Sequence, residues 1–197
     1  MSSKQVLARK FVETGAFKWD ESKPFVLASG VNSEYYVDCR RFLSDPAHCI
    51  LIAEAAYSLV ASLGITAVGG LVLGAVPLST SLAIVAHQMS KEREYWRTFM
   101  VRKEAKGYGL GNLIEGDLRS GDRALIVDDV LTSGKSIVRA IESLKQSDLN
   151  VSVDHVLVLV DRQEQNGRQQ IEQRYGVHVH AALTLEELKV AQVTLRS

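Results

Sequence analysis

Cysteine is scarce in this chain: Cys39 and Cys49 are the only two among 197 residues. They form no C-x-x-C pair, so the usual zinc spacing is missing. Two thiols in a chain of this length read as reduced groups in a cytoplasmic protein. Net charge is also missing, because 23 basic residues balance 23 acidic ones. Nothing global then draws the chain to nucleic acid or to an anionic membrane, and any basic site must be local. The opening M-S-S-K-Q-V-L-A-R-K has no apolar signal core. The longest apolar stretch, Ala67 to Ala86, is broken by Gly69, Gly70, Gly74, Pro77, Ser79, Thr80 and Ser81. It reads as strand, loop and helix rather than a membrane span. Internal repeats and low-complexity linkers are absent, and the length suits one domain with a real core.

What is present is alternation. A helix is expected over Gln5–Thr14. Strands are expected at Phe25–Leu27 and Tyr35–Asp38, around a turn at Ser29-Gly30-Val31-Asn32. Pro46 opens a helix with Asp45 or Ser44 as cap, and Gly64 closes it. Strand and helix then take turns: strand Ala67–Val72, helix Leu78–His87, strand Phe99–Val101, strand Ala124–Val127, helix Ser136–Lys145, strand His155–Val160, helix Arg168–Tyr175, strand Val177–Ala181 and helix Leu185–Val190. The pattern predicts an α/β fold, a mostly parallel sheet with helices on both faces.

The most specific segment is Arg123 to Ile137, R-A-L-I-V-D-D-V-L-T-S-G-K-S-I. A buried-type strand ends in two carboxylates, Asp128 and Asp129. A short loop of Thr132, Ser133, Gly134, Lys135 and Ser136 follows, then apolar residues at helical spacing. A helix N-terminus favours a phosphate. Two acids repel one, so they suit hydroxyls or a hydrated divalent metal. One ligand with all three features is a phosphorylated ribose. Gly134-Lys135-Ser136 resembles the end of a Walker A loop, but position 129 is Asp where that loop needs glycine. The plainer reading is a buried strand with a solvated turn.

Ligands of open parallel sheets bind beyond the carboxyl ends of the strands. Here those ends carry Gly70 to Ala75, Arg102 to Lys106, Asp128-Asp129 and Asp161-Arg162-Gln163-Glu164. The segment from Arg102 to Asn112, R-K-E-A-K-G-Y-G-L-G-N, has three cations and three glycines. It reads as a mobile basic flap, or more plainly as a solvated loop. His178 and His180 alternate on one strand face. A metal pair is conceivable there, but exposed strand histidines are the better reading. Trp19 and Trp96 read as packing residues.

The acidic segment resembles the phosphoribosyl diphosphate (PRPP) signature of type I phosphoribosyltransferases. R-K-E-A-K-G-Y-G resembles the catalytic loop of the orotate-using branch. Phe25 to Gly30 with Ser33 to Asp38 resembles its N-terminal hood, and Val160 to Glu164 its pyrimidine-binding D-R-Q-E segment. Together these span about Phe25 to Leu188. The resemblance implies a type I phosphoribosyltransferase fold in one domain over residues 1–197. The hood takes roughly 1–40 with a C-terminal contribution, and the core roughly 45–182. It implies transfer of phosphoribose from PRPP to orotate in pyrimidine biosynthesis. Arg102, Lys103, Lys106 and Tyr108 would meet the diphosphate, with Lys103, Asp128 and Asp129 catalytic. Asp128, Asp129, Val130, Leu131, Thr132, Ser133, Gly134, Lys135 and Ser136 would hold the ribose phosphate. Thr132, Arg162, Tyr36 and Val37 would meet orotate. No metal is expected directly on the chain: Mg²⁺ would arrive on PRPP and reach Asp128 or Asp129 through water. A homodimer sharing its flaps is implied.

Departures from the family pattern are Ala28 for a lysine, Leu73-Gly74 for a tyrosine-lysine pair, Gly107 for an aspartate and Tyr108 for a histidine. The alternatives are a type I transferase for another nucleobase and a non-catalytic PRPP-sensing regulator. The D-R-Q-E segment argues against the first. The neutral charge and the retained Lys103 argue against the second.

Overall fold

The computed structural model describes residues 2–26, 32–90, 95–104 and 113–196. Helix α1 (Ser3–Glu13) starts with a capping box. Ser2 Oγ accepts from Gln5 N–H while the Gln5 side chain accepts from Ser2 N–H. Four short strands follow: β1 (Phe17–Trp19), β2 (Phe25–Val26), β3 (Asn32–Ser33) and β4 (Tyr35–Val37). They do not form the single hairpin expected from the sequence. β2 pairs with β3, and β4 pairs with β1, both antiparallel. Phe17-Lys18-Trp19 is too short to announce a period, so its partnership was invisible.

Helix α2 (Cys39–Phe42) is capped by Asp38, and α3 (Pro46–Val60) by Asp45, whose Oδ1 accepts from Ala47 N–H at 2.9 Å. The remaining elements are β5 (Ala67–Leu71), α4 (Ala75–Met89), β6 (Arg97–Val101), β7 (Ile114–Gly116), β8 (Arg123–Leu131), α5 (Lys135–Lys145), β9 (Ser152–Asp161), α6 (Gly167–Tyr175), β10 (His178–Thr184) and α7 (Leu185–Arg196). The large sheet has six strands in the order β10-β9-β8-β5-β6-β7, and only the β6–β7 pair is antiparallel.

The apolar runs are continuous because both faces of this sheet are covered. On β8 and β9, Leu125, Val127, Leu157 and Leu159 face the core shared with α1, α3, α4 and α7. Ala124, Ile126, Val156 and Val158 face the core built with α5 and α6. The free edge of β10 is covered by α6. Arg168 Nη2 donates to Val179 O at 2.6 Å, and Glu172 Oε1 accepts from Val179 N–H at 3.0 Å. His178 is exposed, as expected, but His180 is only partly so, because His155 of β9 meets it with 3.3 Å between ring nitrogens. Among the described residues, no group of three or more His, Cys, Asp or Glu could hold a metal. Among them, too, no helix is long and apolar enough to cross a membrane.

A buried ion pair ties the sheet together where its strands begin. Asp122 is 3% exposed and accepts from Arg97, from Thr66 Oγ1 at 2.7 Å and from Arg119 N–H at 2.8 Å. Burial pushes its carboxyl up, but the Arg97 and Thr66 hydrogen bonds outweigh that and hold it below the usual range. Asp122→Ala should lower unfolding free energy by about 3 kcal/mol, since it strands a partly buried guanidinium. Denaturant melts check this, and a loss under about 1 kcal/mol would remove Asp122 as a fastener of the sheet.

Candidate functional site

Strand order reverses between β5 and β8: from β5 the chain first builds outward to β6, then returns to β8, β9 and β10. Such a switch point opens a crevice at the strands' carboxyl ends. Asp128 and Asp129 stand there. They do not terminate β8, as the sequence suggested, but lie within it. β9 keeps pairing with β8 past the acids, through Val130↔Val160 and Leu131↔Asp161. β5 stops at Leu71, so only that flank is open. Ending a strand needs loss of pairing on both sides, which two charged residues alone do not produce.

The loop after β5 closes over the acids. A Cβ at Gly74 would lie 2.7 Å from Asp129 Oδ1 and 3.1 Å from Asp128 Oδ1. Glycine is therefore what lets this backbone approach the pair, a physical reason for one of the departures noted above. Leu73 beside it is 75% exposed. From the other side, buried Cys39 donates from Sγ to Asp129 O at 3.6 Å. Burial, then the charges of Asp129, Asp38 and Asp128, push that thiol well up, so it stays protonated and inert.

Asp128 is 8% exposed. Burial, then the neighbouring Asp129 charge, push its carboxyl up to about 7, against a smaller opposing contribution from the Asp129 N–H it accepts at 3.0 Å. A carboxyl held near neutrality in a crevice marks a site that ligand chemistry is meant to complete.

The loop from Thr132 to Gly134 leads into α5, whose first residue is Lys135. Gly134 is the N-cap, with φ of +74° and no side-chain cap. α4 likewise begins at Gly74 without a side-chain cap. Two helix N-termini thus meet one crevice without a side chain occupying their first-turn N–H groups. Helix α6 buttresses the loop. A Cβ at Gly167 would lie 2.1 Å from Thr132 O, and one at Gly134 would lie 2.4 Å from Ile171 Cδ1. Neither Gly167 nor Ile171 carried a sequence signal, because their role is steric fit. Lys135 is exposed, Thr132, Ser133 and Ser136 are partly buried, and Val130 and Leu131 run on in β8.

The third group lies after β9. Asp161 is 3% exposed, its Oδ1 accepting from Gln163 N–H at 2.8 Å. Arg162, its side chain 10% exposed, is held under the hood. Its Nη2 donates to Ser33 Oγ at 3.4 Å and to Glu164 Oε1 at 3.2 Å, and its guanidinium lies 5.3 Å from the Tyr35 ring. Tyr35, not Tyr36, therefore meets Arg162. Strand alternation turns Tyr36 the other way, where it is 38% exposed and its hydroxyl donates to Asp38 Oδ2 at 3.1 Å. Val37 is partly buried and packs on the core. Gln163, Gln165 and Asn166 all have positive φ, the backbone cost of the tight turn that presents Arg162.

The fourth group follows β6. Arg102 Nη1 donates to Glu115 Oε1 of β7 at 2.8 Å, and Lys103 is exposed. Lys106, Gly107 and Tyr108, like Ala28, lie outside the described residues.

Comparison with known proteins agrees with this fold. The model of the phosphoribosyl transferase domain matches residues 40–179. The orotate phosphoribosyltransferase of Aquifex aeolicus is 36% identical over 188 residues, covering 95% of this chain and 98% of its own. That of Methanocaldococcus jannaschii is 33% identical over 192 residues, covering 98% and 100%. Among solved structures, Mycobacterium tuberculosis orotate phosphoribosyltransferase with Fe(III) dicitrate matches with a TM-score of 0.77 at 30% identity. It covers 95% of this chain and 99% of its own. The same enzyme in complex with PRPP matches with a TM-score of 0.74 at 29% identity, with the same coverage.

Proposed function

We infer the function from membership and geometry together: the chain belongs to the phosphoribosyltransferase family, within it to the orotate phosphoribosyltransferases, and it transfers the 5-phosphoribosyl group of PRPP to orotate. The products are orotidine 5′-phosphate and pyrophosphate, a step of pyrimidine nucleotide synthesis. One observation carries the assignment to residues. A paired carboxylate and an uncapped helix N-terminus share one crevice, one strand away from a buried arginine. That is a layout for ribose hydroxyls, a phosphate and an anionic base.

Asp128 and Asp129 accept from the ribose hydroxyls. Thr132, Ser133, Gly134, Lys135 and Ser136 receive the 5′-phosphate, with backbone N–H groups of α5 as donors. Thr132 and Arg162 orient orotate, and Arg162 offers a planar donor edge to a carboxylate or carbonyl. Tyr36 and Val37 belong to the hood over the pyrimidine. Lys103 neutralises charge gathering on the departing pyrophosphate, with Arg102, Lys106 and Tyr108 as further diphosphate-binding residues. Attack by the pyrimidine nitrogen passes through an oxocarbenium-like centre at C1. Orotate brings its own acidity, so the chain needs no strong general base. Asp128 and Asp129 offer only carboxylate oxygens, the donor type Mg²⁺ prefers when substrate phosphates and water complete its shell. When bound, Mg²⁺ supplies further charge neutralisation at the diphosphate.

The protein works as a homodimer in which each flap serves the neighbouring site. Exposed Ile84 and Met89 on α4, with Tyr95 beyond it, are apolar surface that a partner would cover. Its place is the cytoplasm, a reading supported by the two free thiols.

The direct test supplies PRPP, Mg²⁺ and one nucleobase at a time while nucleotide and pyrophosphate are followed. Orotate should turn over well above hypoxanthine, adenine and uracil. A faster reaction with any of those would reassign the substrate, and none at all would favour a PRPP-sensing regulator. Arg162→Ala should raise the orotate KM by roughly 1.5–3 kcal/mol of lost charge-assisted binding, with the PRPP KM near normal. An unchanged orotate KM would move Arg162 out of the base site.

A further inference from the structure

Arg162 is nine-tenths buried, yet its contacts do not use it up. Glu164 lies along one edge of the guanidinium, Oε1 accepting from Nη2 at 3.2 Å and Oε2 sitting 3.2 Å from Nε. The Nε–H is not aligned on that oxygen and has no hydrogen-bond partner among the described residues. Nη1 makes no hydrogen bond among them either. A buried, half-satisfied fork has to be aimed by its surroundings, because a planar donor recognises a planar anion only at one angle.

The surroundings are built for aiming. The Tyr35 ring lies 5.3 Å from the guanidinium, and Glu164 acts on the Tyr35 phenol as well as on Arg162. Burial first, then Glu164, push that phenol up, so Tyr35 stays protonated beside the carboxylate. Tyr35 also meets a second cation. Lys189 Nζ of α7 lies 5.2 Å from its ring and 5.4 Å from that of Trp19. Gln192, 4% exposed, holds the Trp19 backbone through both amide atoms, at 3.0 and 2.8 Å. A chain of contacts therefore runs from α7 through Trp19, Lys189 and Tyr35 to Glu164 and Arg162.

We propose that Glu164 and Tyr35 are positioning residues that hold the Arg162 fork at the angle required by the carboxylate-bearing base. The proposal rests on the orotate reading and deepens it. Glu164 touches no substrate in this role. It takes the Nε/Nη2 edge, Ser33 Oγ accepts from Nη2 at 3.4 Å, and Nη1 is left to the ligand, so that recognition is pre-organised before the base arrives. The like charges of Glu164 and the ligand are separated by the guanidinium they share.

Steady-state kinetics test this. With Glu164→Ala the orotate KM should rise about tenfold, while kcat and the PRPP KM stay within about threefold. Glu164→Gln keeps an acceptor oxygen for Nη2 at unchanged volume and should recover most of the loss. Tyr35→Phe keeps the ring but drops the hydroxyl and should raise the same KM by about threefold. Thermal melts of all three report folding independently, and the isosteric Glu164→Gln and Tyr35→Phe keep the test open if the alanine variant is unstable. An unchanged orotate KM, an orotate KM that falls because Glu164 was a competitor, or equal losses for both substrates would each overturn the proposal while the orotate assignment stood. If the wild-type protein does not turn over orotate, the assignment falls, and this proposal with it.

Discussion

Lys103→Ala should lower kcat by roughly 10²–10³-fold, the usual loss when one pre-organised charge stabiliser is taken from a developing anion. Stability should stay within about 0.5 kcal/mol of wild type, because Lys103 is exposed and sits past the end of β6 rather than in either core. The combination matters. A large fall in turnover with an unchanged melt separates a catalytic cation from a structural one. If the flap serves the neighbouring subunit, inactive variants should rescue each other. Lys103→Ala mixed with Asp129→Asn gives dimers with one doubly defective site and one intact site. After full exchange at equal concentrations, activity should approach about a quarter of wild type. Verified exchange without recovery would place each flap on its own subunit's site.

The parts of this molecule that were legible in the sequence are those whose physics is local. Pro46 after Asp45 gave the start of α3 because a cap and a preset φ act on adjacent residues. The strand–loop–helix around Asp128 was legible because an apolar run, an acidic pair and a helical period follow one another directly. What escaped depends on partners far along the chain. β7 is three residues long and exists because β6 offers it an edge. The acid pair lies inside β8 only because β9 extends beyond β5.

The same distinction holds within the site. Glu164 stands in the D-R-Q-E segment that drew attention to Arg162, yet nothing in that run says it turns back on its neighbour. That turn requires left-handed backbone at Gln163, Gln165 and Asn166, none of them glycine. Tyr35 and Tyr36 are equivalent in the sequence until β4 pairs with β1 and decides which of them turns toward Arg162. Gly74 read as a missing lysine, whereas its Cα sits where any side chain would strike the Asp129 carboxylate.

Asp128→Asn should abolish most use of PRPP and yet stabilise the protein above neutral pH. The sign follows from the carboxyl's two environments. Unfolded, it titrates near its ordinary 3.8; folded, burial and then the Asp129 charge push it up to about 7. Between those values the folded state holds a proton that the unfolded state has released. Wild-type stability therefore falls as pH rises through this window and levels off above about 7. The asparagine carries no charge to bury, and its amide can donate where two carboxylates repelled. Its advantage should be near zero at pH 4 and grow to on the order of 4 kcal/mol at pH 8. Denaturant melts of both proteins across that range measure it, alongside PRPP turnover at pH 8. A flat difference between the two melts would mean that Asp128 is ionised throughout and that its burial costs little. Lost turnover together with a pH-dependent gain in stability would show a crevice built against its own folding energy, with the ribose hydroxyls as the partners for which that energy is given up.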